Sequence, residues 1–445
     1  MIHHNLSRCA LTAAVAGALS IAPAFADDDR GSRNAGFRFK PIESSANAAD
    51  WNPTSPWVIP KGFVQEVVSD ETHLNIYDGG RDDWHDMNTV NETGPMAGRY
   101  MYRTHELRFP ANQPEGGAVS VVDLKTGETK ILDIDASYDA LDGIRWTPWG
   151  TVLFAEEVDG GRLLEIFLEI DDLTTAREVL DRPAVGRIAH EGIDVGPEGE
   201  IYVVDEHRGQ TSGCGIGTPC GGGIYKFVPD VYGDLSSGAL FALKVNGPDG
   251  VGQGEWVGPI DPETARLSGS VAGGTSYQRP EDLEIIGDVL YVAITEGPVA
   301  QGAGSEVYDG RVIAIDLHTL QVSNFVKAGV NVPVEIGRPG QADFQTGFDN
   351  VDNLAESSDG RLVLVEDNVP SDIWFASTRT NAYGASTEVE LFASLTDDGA
   401  EGTGIYFSPF EPDTLYVNIQ HSKATDGDGT WAIRKDRGPK KPSHR

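Results

Sequence analysis

The chain has 445 residues, and its 34 Lys and Arg against 69 Asp and Glu give a formal net charge of −35 at pH 7. Such acidity argues against nucleic acid and anionic membrane surfaces as partners. It admits an anionic substrate only where bound cations reverse the local sign.

In chain order, residues 1–26 read as a signal peptide: Arg8 is followed by an apolar run from Ala10 to Ala24 and a small-x-small cleavage site at 24–26. The run is too short to span a bilayer, and no later stretch approaches the roughly 18 apolar residues that spanning requires. Leu6-Ser7-Arg8 before Cys9 is wrong for a lipid-anchor signal. The expected location is therefore periplasmic or secreted, with a mature protein that inserts into no membrane. Residues 27–65 are polar and read as a flexible or wrapping N-terminal arm.

From residue 66 to 435 one pattern recurs: an acidic residue, an apolar stretch, a Gly/Pro/Asp turn, a strand ending acidic, then a Gly-flanked strand. The copies are RYMYRTHELR with GAVSVVDLKTGETKIL, LDGIRWTPWGTVLFAEE with GGRLLEIFLEI, and HEGIDVGPEGEIYVVDE with GGGIYKFVPD. Then come RPEDLEIIGDVLYVAITEG with GRVIAIDL, VDNLAESSDGRLVLVEDN with DIWFAS, and AEGTGIYFSPFEPDTLYVNIQH with TWAIRK. Each is a meander of short, β-branched strands, and no long segment has a helical period. Six such copies predict an all-β chain, a six-bladed β-propeller. Between copies, Cys214 and Cys220 lie in the loop GCGIGTPCGGG. In an oxidising compartment they pair with each other, the rival reading being a metal clip. Residues 436–445 form a basic tail.

Hairpin geometry gathers the acids. If the first strand descends and the second returns, the start of one and the end of the other share a rim. Asp142 and Glu156, Glu191 and Asp205, and Asp352 and Glu366 are each 14 residues apart, and Glu281 stands 14 before Thr295, beside Glu296. Glu401 faces Gln420 and His421, while Glu106 ends a strand at the same rim. Carboxylates crowded in this way raise each other's pKa and need cations. Oxygen-only ligands in an irregular set favour a hard cation, calcium ahead of magnesium. Other motifs carry less: the His-Glu pairs at 105–106 and 190–191 lack the His-x-x-x-His spacing of a zinc helix, and 426–430 (DGDGT) lacks the Glu that closes an EF-hand loop.

These residues also resemble a known family, the PhoX-type alkaline phosphatases. TPWGTVLFAEE at 147–157, THE at 104–106, GRIAHEG at 186–192, GGIYKFVPD, RPED at 279–282 and GAEGTGIYFSPFEPDTLYVNIQHS follow the family's segments in order, over about residues 95 to 425. The resemblance implies a phosphomonoesterase on a propeller, with calcium ions and a pair of irons at the channel mouth. By matching position it makes Glu106, Glu157, Glu281 and Glu401 acidic metal ligands, with Glu281 and Glu401 the residues expected to carry catalysis. Three departures bear on the metal. Asp142 stands where the family has a Cys iron ligand, Gly399 stands where it has an Arg, and the leader lacks an Arg pair. All three point away from an iron centre, and the carboxylate at 142 favours calcium or magnesium. The expected function is thus an exported, calcium-dependent phosphoesterase, monomeric and acting on small phosphate esters. The alternatives are a calcium-binding propeller without turnover and a lactonase- or esterase-like metal-dependent hydrolase.

Overall fold

Residues 37–76, 83–108, 116–209, 215, 217–295 and 310–438 are described by the computed structural model. The expected leader, most of the basic tail, Cys214 and Glu296 lie outside the described residues. Cys220 is disulfide-bonded.

The described strands form antiparallel meanders collected into five sheets. Four sheets have four or five strands. The fifth has nine, because Gly252–Ile260, an extra outer strand, pairs with Gln321–Lys327 and joins two successive meanders. The first strand of each meander is innermost: His85–Val90, Leu141–Trp146, His190–Val195, Pro280–Ile286, Val351–Glu356 and Glu401–Phe407. Each packs beside the next, and the last packs beside the first, so the inner strands form a ring in a propeller-like arrangement. The strand Phe63–Asp70 pairs with Gly429–Lys435, so the beginning and end of the ring share one sheet.

Apolar side chains from facing sheets fill the spaces between them. One cluster joins Val363, Val365, Phe375 and Phe392 to Ile405, Phe407 and Val417 of the next sheet. The arm is part of this packing. Phe37 is fully buried against the rings of Phe375, Phe392 and Phe407, and Trp57–Val58 adds a short strand to Val389–Leu395.

Polar side chains stitch neighbouring inner strands. The Ile285 N–H donates to Asp194 Oδ2 at 2.7 Å, the Leu354 N–H to Asp282 Oδ2 at 2.8 Å, and the Gly404 N–H to Asn353 Oδ1 at 2.6 Å. The inner strand His85–Val90 precedes the segment that the sequence marks as the first copy. Its residues HDMNTV are all buried yet show no apolar alternation, since the two apolar ones, Met87 and Val90, lie three apart and pack into different clusters.

Candidate functional site

The site is built by one local device repeated round the ring. In five of the inner strands the ladder shifts by one residue just after its first pair: between His85 and Asn88, Leu141 and Ile144, His190 and Ile193, Pro280 and Leu283, and Val351 and Leu354. A bulge of this kind re-aims the extra side chain. The first residue in each bulge is, in turn, Asp86, Asp142, Glu191, Glu281 and Asp352. Two residues earlier in four of these strands stand Trp84, Ala140, Arg279 and Asn350, all non-glycine residues with φ between 39° and 50°. Backbone held in this sparsely populated region is strained, and such strain gathers at functional sites.

The same positions hold the far end of the hairpin. The carbonyls of Trp84, Ala140, Ala189 and Asn350 accept from the N–H groups of Glu106, Glu157, Glu206 and Asp367, at 2.8–3.0 Å. The residue brought to the rim is therefore one past the strand end, 15 residues after the bulge acid in three cases. The expected spacing of 14 selects its neighbour, which a strand's alternation turns the other way.

Glu156, Asp205 and Glu366 accordingly face away from the rim cavity. Glu156 is held by Arg162 at 2.5 Å. Asp205 is clamped by Arg266 through two contacts of 2.6 Å. Glu366 accepts from Trp374 Nε1 at 2.9 Å and from the Asp349 N–H at 3.0 Å. The other predicted residues, Glu106, Asp142, Glu157, Glu191, Glu281, Asp352 and Glu401, all line one cavity of about 230 Å³. Asp86, Asp367, Arg108 and Arg279 line it too and were not anticipated. Doubled acids at the strand ends (Glu156-Glu157, Asp205-Glu206, Glu366-Asp367) are the sequence signal that points to the second member of each pair.

Two groups of carboxylates lie close enough to share an ion. Asp142, Glu157 and Glu191 offer oxygens all within 4.8 Å of one another, and so do Glu191, Glu281 and Asp352. Glu191 belongs to both. Burial, then the charges of Asp86, Glu157 and Glu106, holds the Asp142 carboxyl well above its ordinary range, and its Oδ1 is a buried acceptor with no donor. Burial, then the charges of Asp142, Glu281 and Asp352, does the same to Glu191. Glu281 is raised to about 8, chiefly by burial and against the pull of Arg279. Glu106 is raised to about 7, again chiefly by burial. An oxygen-only set of buried carboxylates that favours the protonated form when alone fits a hard divalent cation, which would supply the missing counter-charge.

Cationic side chains border the set. Arg108 Nη2 donates to Glu157 Oε2 at 2.8 Å and also contacts Glu106. Arg279 Nε lies 3.1 Å from Glu281 Oε1 and pairs with Glu206. The cavity thus has guanidinium groups although Gly399 stands at the family's Arg position. His421 Nε2 stands 3.3 Å from Glu401 Oε1, Thr295 Oγ1 donates to Glu281 Oε1 at 2.6 Å, and Gln420 Nε2 donates to Glu106 Oε2 at 3.0 Å.

No curated protein matches this chain in sequence. Among solved structures, Pseudomonas fluorescens PhoX in complex with vanadate, a transition-state analogue, has a TM-score of 0.61 at 18% identity, covering 89% of this chain and 98% of that one. A gluconolactonase from Xanthomonas campestris has a TM-score of 0.44 at 12% identity, with 89% and 98% covered. A calcium structure of a Trichoderma reesei protein of carbohydrate-active family AA12 has 0.48 at 11%, with 87% and 99% covered. The likeness to the Pseudomonas protein shows a shared fold. The family model for alkaline phosphatase PhoX matches residues 166–423, more than half of the chain, and the chain therefore belongs to that family of phosphoric monoester hydrolases.

Proposed function

We propose that the rim cavity hydrolyses small phosphate monoesters with divalent cations, calcium first among them, held by the two carboxylate groups that meet at Glu191. The observation that carries this reading is that sharing: two sets of three carboxylate oxygens, each within 4.8 Å, joined by one side chain. Asp142, Glu157, Glu191, Glu281 and Asp352 would hold the ions, with Glu106 and Glu401 at the cavity's edge. Bound there, the cations would polarise the phosphoryl oxygens and offset charge gathered in the transition state.

The chain's own residues supply the rest. Arg108 and Arg279 stand at the cavity wall as donors to phosphoryl oxygens, a task the planar guanidinium suits. Thr295 and Gln420 orient Glu281 and Glu106 through the hydrogen bonds given above, which limits their rotamers before substrate arrives. As the bond from phosphorus to the ester oxygen breaks, the departing oxygen needs a proton. His421, beside Glu401, is the residue placed to hold that proton at Nε2. Asp142 at the family's Cys position gives a hard ligand, which supports calcium over iron. The apolar run before Ala24 supports export as part of the same proposal.

The test is release of inorganic phosphate from a generic phosphomonoester by the purified chain, with calcium and then with excess chelator, alongside elemental analysis. Turnover in calcium that chelator abolishes is the expected result. No turnover in calcium, with or without added iron, would remove the phosphatase reading of this site, and iron at about one equivalent or more would remove the preference for calcium.

A further inference from the structure

A second cavity opens beside the first. It is a groove of about 680 Å³ that shares Asp367, Glu401 and His421 with the rim cavity. One wall is the connection 328–350, which joins the outer strand Gln321–Lys327 to the inner strand Val351–Glu356. That connection is far longer than most, and long ordered connections are where specificity resides. Isolated bridges between Ala328 and Val332, Val334 and Phe348, and Ile336 and Gln345 give it structure of its own. Gly347 packs so tightly that a Cβ there would lie 2.0 Å from the Glu335 nitrogen.

The groove's chemistry is one-sided. Its polar side chains include Glu335, Arg338, Gln341, Asp349, Asn350 and Asn368, its apolar ones are Val369 and Ala400, and among the described residues it has no Phe, Tyr or Trp ring. Glu335 Oε2 and Asn350 Oδ1 are buried acceptors without a donor, and Asn368 Nδ2 donates to Glu335 Oε1 at 3.2 Å. Burial, with the charge of Asp372, raises the Glu335 carboxyl to about 8, so at neutral pH it is an uncharged group that both donates and accepts.

We propose that this groove receives the alcohol part of the phosphate ester and selects neutral, polyhydroxylic leaving groups of the sugar or polyol class. The proposal rests on the phosphatase reading of the rim cavity. An ester whose phosphoryl group sits among Glu281, Glu401 and Arg279 must place its alcohol toward an opening, and Glu401 and His421 line both spaces. Amides and carboxyls pair with vicinal hydroxyls, each group donating and accepting. An aryl group finds no Phe, Tyr or Trp ring among the described lining residues and little apolar surface. A second phosphate meets Asp349 and Asp367 against the guanidinium of Arg338. A quaternary amine finds no aromatic cage.

The experiment compares glucose 6-phosphate with phenyl phosphate on the wild type and on Gln341→Leu, with Asn368→Ala as a second variant. Gln341 is exposed and its side chain accepts only a 3.3 Å contact from the Arg338 N–H, so its replacement leaves the fold intact. Expected is a fall of about tenfold in kcat/KM for the sugar ester, the scale of one lost hydrogen bond, with phenyl phosphate within about twofold of wild type. An equal fall on both esters, or no change on either, overturns the proposal. If the wild type turns over neither ester, the phosphatase reading fails by itself, and saturation-transfer NMR with glucose 6-phosphate decides the groove. Sugar signals present with wild type and lost with Gln341→Leu support it, and equal signals with both overturn it.

Discussion

Glu191 has no substitute in the cavity, because its carboxylate is the one that both ion-sized groups contain. Glu191→Gln keeps the shape and removes the charge. It is expected to lower bound calcium by more than one site's share and activity by about a hundredfold or more, the scale of losing one electrostatic contact to developing charge. Glu156→Gln is the counterpart. Glu156 belongs to Arg162 and not to the cavity, so its loss should lower the melting temperature while activity and metal content stay near wild type. Equal loss of activity in the two variants would return Glu156 to the rim. The pair also shows what was legible. The acids at 142, 191, 281, 352 and 401 stand out because each opens an apolar strand, but the choice between Glu156 and Glu157 turns on a bulge that no composition reveals. A separate residue tests the electrostatics away from the site. Asp372 is fully buried, accepts from Ser45 Oγ at 2.5 Å, and is raised to about 7, chiefly by burial. A carboxyl whose folded pKa exceeds its unfolded value near 4 keeps its proton in the folded state while the unfolded state releases it. Stability then falls as pH rises between about 4 and 7, by at most roughly 4 kcal/mol for this shift. The stability gap between wild type and Asp372→Asn should therefore move in the variant's favour across that window in denaturant titrations. A constant gap would contradict the burial argument.

At the scale of elements, the ring depends on inner strands approaching more closely than side chains usually allow. A Cβ on Gly143 would lie 2.0 Å from the Glu191 carbonyl oxygen, and one on Gly192 would lie 2.2 Å from Asp282 Oδ1. These glycines follow Asp142 and Glu191 directly, so the close approach that draws the strands together also draws the carboxylates together. Gly143→Ala should force the two strands apart, at a cost of about 1–3 kcal/mol for overpacking, and weaken calcium binding in the same variant. Calorimetry with and without calcium measures both effects. Unchanged metal affinity would separate strand spacing from site geometry. The hairpins were readable because their turns (Pro-Trp-Gly, Pro-Glu-Gly, Ser-Asp-Gly) interrupt β-branched runs. The strand His85–Val90 was not, because its two apolar residues, Met87 and Val90, lie three apart and pack into different clusters. Nor was the order within 328–350, where isolated bridges rather than a periodic ladder hold the chain.

Across the whole molecule, the acidic cavity sits where all the inner strands converge, so its charge acts on the ring as a unit. Without cations the carboxylates remain protonated or repel one another. With cations they tie neighbouring strands together. Ligand linkage at a thousandfold excess over the dissociation constant contributes about 4 kcal/mol per site, so chelation should lower the melting temperature by several degrees, with added salt recovering part of it by screening. The most direct test of the account strips the protein of metal and titrates calcium back, following phosphate release from a phosphomonoester and bound calcium together. The account predicts that activity rises in step with occupancy of the sites around Glu191, and that Glu191→Gln flattens both curves. Full activity in the stripped protein, or full occupancy without any phosphate release, would contradict it.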